Sequence, residues 1–260
     1  MSVTFAKGFS AAGVAAGISS IEGKKDLALV VNQGPLDSAA GVFTFNRFCA
    51  APVQWSRKTV ADGHIKAVIL NSGGANACTG QAGYEQSAAA KKVAELVGTQ
   101  PDEIAVCSTG LIGELLPLDH VLSGVESAYA ALSDDDQAGS DASHAIMTTD
   151  TKPKTVSLEG DGYRIGGMVK GSGMIAPQLA TMLCVITTDA AVAGQLQAAL
   201  NAAVDHSFNR IDVDGCMSTN DTVLLLASGA SGVEPDPDEF NALVAKACAS
   251  LARQIIGDGE

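Results

Sequence analysis

The stretch 170-KGSGMIAPQLATMLCVITT-188 joins a glycine-rich turn, a single proline and an apolar run. How this junction is read decides the fold. The glycines fit neither G-x-G-x-x-G after a strand nor G-x-x-x-x-G-K-[ST], and Lys170 precedes them instead of following them. The signal for a nucleotide loop is weak, and the apolar run that starts at Thr181 reads as a strand. A threonine at that place is ordinarily a β-branched strand residue. No histidine lies near it.

Around this junction the chain has the composition of a layered domain. Its 260 residues make one large domain or two small ones, and 47% are hydrophobic against 17% charged. Aromatics are 4%, with Trp55 the one tryptophan. The core is therefore built of Ala, Val, Leu and Ile, which suits helices layered on sheets. The formal charge of −13 repels nucleic acid and anionic membranes and makes a solvated acidic surface. The cysteines, Cys49, Cys78, Cys107, Cys184, Cys216 and Cys248, form no C-x-x-C pair and have no zinc spacing, so no metal is expected. Four sit in apolar or small-residue surroundings, as core residues do. A reduced, cytoplasmic chain is expected. The first twenty residues lack the pattern of a signal peptide, and no run of about 18 apolar residues spans a membrane.

Short apolar runs at 26–32, 42–48, 65–71, 103–109 and 222–228 read as strands, the last buried on both faces. Helical periodicity falls at 84–98, 195–208 and 236–256, the last with Asp236 as N-cap and Pro237 at the first helical position. Strands and helices intermix, so the class is α/β or α+β. The segment SDDDQAGSDAS, 133–143, reads as the most loop-like part of the chain. Two strands end in small residues, at SGGANACTG and at GLIG. Such ends either let backbone N–H groups meet an anion or simply form tight turns.

The histidines, His64, His120, His144 and His206, belong to no nucleophile signature and read as surface or helix-end residues. A different chemistry needs none of them. If the bond before Thr181 were cut, that residue would own a free α-amine. Such an amine titrates near enough to neutral to serve as base for the threonine's own hydroxyl.

The segment KGSGMIAPQLATMLCVITTDA resembles the cleavage and nucleophile signature of the ornithine acetyltransferases, the bifunctional glutamate N-acetyltransferases of arginine biosynthesis. The blocks NSGGANACTG (71–80), VCSTGLIGELLP (106–117), AIMTTDT (145–151) and DVDGCMSTNDTVLLLASG (212–229) match the family in order. GFSAAGVAAGI and FNRFCAAPV near the start also fit. The resemblance runs from about Gly8 to the last residue.

That resemblance implies an α/β (α+β) fold of the αββα sandwich type. It also implies a precursor that cuts itself between Ala180 and Thr181. Residues 1–180 would be an α-piece and 181–260 the start of a β-piece, intertwined in one catalytic domain and assembled as two of each. Thr181 is then the nucleophile, carrying acetyl from N-acetylornithine to glutamate, with acetyl-CoA as a possible further donor and no cofactor. Thr109 and Gly110 would form the oxyanion hole. Lys170, Thr148 (with Thr149 a close rival) and Glu260 would contact substrate. Pro177 fixes its own φ and biases Ala176 to an extended conformation, which holds the approach to the cut. The family chain continues beyond this glutamate, so a truncated member is expected, lacking C-terminal sandwich residues. Two alternatives stand beside the transferase: an aminopeptidase-like hydrolase of the same architecture, whose members use serine, and a non-catalytic fragment.

Overall fold

The structure is a computed structural model that describes residues 2–87, 89–177 and 182–259. Two sheets carry it. The first is four-stranded in the order β1 (Phe9–Val14), β2 (Leu27–Asn32), β4 (Ala67–Gly74), β5 (Ile104–Leu111). The second is five-stranded in the order β3 (Ser38–Phe43), β9 (Thr222–Ala227), β8 (Leu183–Thr188), β7 (Arg164–Lys170), β6 (Lys154–Glu159). The β4–β5 and β8–β9 pairs are parallel and the other neighbours antiparallel.

The alternation of side chains along each central strand explains the layers. In β2, Ala28 and Val30 enter the core between the sheets, while Leu27, Leu29 and Val31 enter a second core. That outer core is closed by α3 (Ala89–Val97) and α4 (Leu118–Ala130). β9 does the same on the other side. Leu224 and Leu226 face the first sheet, and Val223, Leu225 and Ala227 face α6 (Leu196–Asp205) and α7 (Pro237–Ile256). Strands buried on both faces are what a helix–sheet–sheet–helix stack requires, and the αββα expectation is met.

Four local expectations change. The run 42–48 holds only the end of β3, because Thr44 and Asn46 turn the chain with their own side chains. The Asn46 N–H donates to Thr44 Oγ1 at 3.1 Å, and the Phe48 N–H to Asn46 Oδ1 at 2.9 Å. The helix expected over 84–98 is two, α2 (Gly80–Gln86) and α3. Gln86 closes the first by exchanging hydrogen bonds with the backbone of Leu116, at 2.6 and 2.9 Å. The segment 133–143 is not a loop. Asp135 accepts the Ala138 N–H at 2.7 Å and caps α5 (Asp136–Ala145). This helix lies so close to β1 that a Cβ on Gly13 would stand 2.1 Å from the Asp141 carbonyl oxygen. The fourth difference is slight: α6 stops at Asp205, and a short 3-10 turn, Phe208–Arg210, follows. Among the described residues no helix is long and apolar enough to cross a membrane.

Candidate active site

β4 and β5 run parallel and end side by side, with Gly73 opposite Gly110 and an irregular register at Gly74. Gly110 sits at φ +130°, and a Cβ there would lie 2.6 Å from the Gly73 carbonyl carbon. Only glycine allows this approach of the two strand ends. Thr109 precedes it and is buried.

The second sheet brings Lys170 to the same place. It is the last residue of β7, 2% exposed, and its Nζ donates to Thr109 Oγ1 at 3.4 Å. Lys170 thereby spans the gap between the sheets. Its carboxylate neighbour is Asp150, with Oδ2 3.9 Å away. Asp150 also accepts from Lys154 Nζ and the Gly171 N–H, both at 2.7 Å, and from the Thr148 N–H at 3.1 Å. Lys154, wholly enclosed, pairs in turn with Asp258, beyond the end of α7. Asp258 accepts further bonds from Thr151, and its carbonyl accepts the Ser172 hydroxyl at 2.8 Å. The C-terminal turn is thus tied to the start of the 171–177 loop.

The electrostatics follow from burial and pairing. Burial pushes the Lys170 pKa down, aided by the charges of Lys154 and Lys24, while Asp150 and Asp221 resist. Burial would push Asp150 up, but Lys170, Lys154 and the Gly171 N–H outweigh it and hold the carboxyl below its usual value. Lys24 is lowered too, by burial against the pull of Asp26 and Asp150. Thr148, Asp150, Lys24 and Lys25 line one cavity of about 470 Å³ together with His144 and Met147. Thr149 is exposed and lines no part of it.

The strand register completes the site. Lys170 pairs with Leu183, and Leu183 with Thr222. The Met182 N–H donates to Asp221 Oδ1 at 3.2 Å, and its carbonyl accepts the Thr222 N–H at 3.1 Å. Asn220 Nδ2 donates to the carbonyls of Ala75 and Ser108, at 2.6 and 2.9 Å, and so ties the entry of β9 to the ends of β4 and β5. Thr109, Gly110, Lys170 and the cavity wall at Thr148 therefore share one end of the sandwich. Ala180, Thr181 and Glu260 lie outside the described residues. Asp150 and Asp221 stood in the blocks AIMTTDT and DVDGCMSTNDTVLLLASG without a role being read for them, and Lys154 and Asp258 lay outside every block. Their importance comes from burial. Among the described residues no cluster of histidine, cysteine, aspartate or glutamate could hold a metal.

A sandwich with this layering is shared by the L-aminopeptidase D-Ala-esterase/amidase of Ochrobactrum anthropi, described as a variant of the Ntn-hydrolase fold. The match has a TM-score of 0.55 at 12% identity and covers all of this chain and 86% of that one. At that identity the likeness is one of fold. The ornithine acetyltransferase of Mycobacterium tuberculosis, solved in complex with ornithine, is nearer. It is 50% identical with a TM-score of 0.67, over 70% of this chain and 96% of that one. The fold, with this relative, defines an acyltransferase on a two-sheet sandwich. The chain is 81% identical to the arginine biosynthesis bifunctional protein ArgJ of Bifidobacterium longum, over its whole length and 67% of that protein. It thus spans about two thirds of the length of such curated relatives. The ArgJ family model matches residues 10–260, and the chain belongs to that family.

Proposed function

We propose that this acetyltransferase of arginine biosynthesis works through Thr181, moving acetyl from N-acetylornithine to glutamate after a cut at Ala180–Thr181. The observation that carries the reading is the meeting of Lys170 and Thr109 at the strand ends beside Met182, the residue covalently attached to Thr181. In the cut, Thr181 Oγ adds to the Ala180 carbonyl. The C–N bond breaks, its nitrogen takes the hydroxyl proton, and water hydrolyses the resulting ester. The freed α-amine then serves as base for the same hydroxyl. In transfer, Oγ attacks the acetyl carbonyl, ornithine leaves with a proton, and glutamate's amine takes the acetyl group from the ester.

Thr109 and the Gly110 N–H are the donors for the oxyanion, and the Lys170 amine reinforces the first. The cavity at Thr148 offers Lys24 for a carboxylate, which suits a small amino acid. Glu260 is read as a further substrate contact. Residues 1–180 and 181–260 are read as two pieces of one domain. The lengths agree with this. Seventy per cent of 260 residues is about 182, and that share matches nearly the whole of the solved tuberculosis chain. A heterotetramer of two pieces of each kind, a cytoplasmic setting and acetyl-CoA as a second donor belong to the same reading.

Intact-mass measurement tests it. The parent should give two fragments divided after Ala180, and the β-piece should gain one acetyl group on N-acetylornithine. The Thr181→Ala chain should stay whole. A cut in that variant, or acetate release without transfer to glutamate, would sink the reading.

A further inference from the structure

Nothing above gives work to the Asp221 side chain beyond its contact with Met182. It is fully enclosed at the entry to β9, and that contact is to the nitrogen of the Thr181–Met182 peptide. Its neighbours hold the same spot from every side. Asn220 anchors the ends of β4 and β5, Thr222 takes the Met182 carbonyl, and the Asp221 carbonyl accepts the Thr44 N–H at 2.9 Å. Yet Asp221 Oδ2, equally buried, has no hydrogen-bond partner among the described residues. The nearby Thr44 hydroxyl is spent on the Ser218 carbonyl at 2.7 Å.

Replacing this carboxyl by an apolar group would leave the buried Met182 N–H without its acceptor, which costs stability. Burial pushes this carboxyl well above its ordinary pKa, against the Met182 N–H, the Ser218 and Thr44 hydroxyls and the charge of Lys170. Among the described residues, the one geometrically defined hydrogen bond to this carboxyl comes from the peptide that follows Thr181, with the Ser218 and Thr44 hydroxyls beside it.

We propose that Asp221 is a positioning residue for the nucleophile: Oδ1 fixes the peptide that follows Thr181. This rests on the reading of Thr181 above. Asp221→Leu removes both oxygens and keeps the branched shape, whereas Asp221→Asn keeps an acceptor for Met182 and a donor beside it. Asp221→Leu should fold with a lowered melting temperature and cleave and transfer acetyl about tenfold slower or worse, through kcat more than KM, with Asp221→Asn within about threefold of the parent. Hydrogen exchange at the Met182 amide should quicken in the first variant and not in the second.

Parent-like cleavage and turnover in Asp221→Leu overturns the proposal. So does an Asp221→Asn chain as slow as Asp221→Leu, since the loss would then belong to ionisation. Should Asp221→Leu fail to fold, Asp221→Ala is judged by the same criteria. A Thr181→Ala chain that still splits overturns the nucleophile and this proposal together. A whole Thr181→Ala chain beside parent-like Asp221→Leu overturns this proposal alone.

Discussion

Lys170 shows how one side chain takes its properties from what surrounds it. Its amine is buried among Asp150, Asp221, Lys154 and Lys24 and touches Thr109, so its field reaches a strand end and not bulk water. Asp150 keeps Lys154 and the Gly171 N–H when Lys170 is removed, and the fold should tolerate the change. Lys170→Met should therefore stay folded by circular dichroism yet lose about a hundredfold in acetyl transfer, the size of effect expected when a preorganised charge is taken from an oxyanion site. Near-parent kcat/KM in that variant would remove Lys170 from the mechanism. Asp258 gives a pH signature. Burial pushes its carboxyl up, but the hydrogen bonds from Lys154 and Thr151 outweigh this and hold it down to about 2. A carboxyl whose folded pKa lies below its unfolded value, about 4, contributes stability above pH 4 that is lost as pH falls toward 2. Melting temperature should drop through that window in the parent. In Asp258→Asn it should start lower above pH 4 and fall less steeply below it.

At the scale of elements, the strands that announced themselves are those buried on both faces, such as β2, β4 and β9. Their continuous apolar runs leave no other reading. Helix α5 stayed hidden because its inward face is Ala138, Gly139, Ala142, Ser143 and Ala145, small residues that carry little hydrophobic signal. They are small because β1 lies against them, with Gly13 under Asp141. Three consecutive aspartates looked like a solvated turn, although Asp135 is a helix cap. Asp135→Ala should cost about 1 kcal/mol of stability, the usual loss for such a cap, read as a shift in denaturant midpoint with the slope unchanged. No loss would mean that packing of the small face alone sets where α5 begins. The same blindness affected the site. Lys170, Thr109 and Gly110 stood in recognisable blocks with a role attached, whereas Asp150 and Asp221 stood in such blocks with none, and Asp258 lay outside them, until burial made each one need a partner.

For the whole molecule, the position of the Ala180–Thr181 bond in the topology matters as much as its chemistry. It falls between β7 and β8, adjacent strands of the five-stranded sheet that are paired from Ile165–Thr188 to Lys170–Leu183. β8 and β9 lie between β7 and β3, so strands from after the bond are flanked on both sides by strands from before it. The core under α6 and α7 adds to this. Ile165 and Val169 of β7 share one apolar cluster with Val244, Leu251 and Ile255 of α7. Cutting one peptide bond removes none of these ladders or contacts. Apolar burial on this scale contributes far more than a single connection does. Cleaved protein should therefore run as one species in size exclusion at neutral pH and separate into 180- and 80-residue pieces only in denaturant. Its melting temperature should stay within a few degrees of the uncut Thr181→Ala chain. Pieces that part in native buffer would show that the two sides of the bond do not form one core, and the single-domain reading of the cut would fail with them.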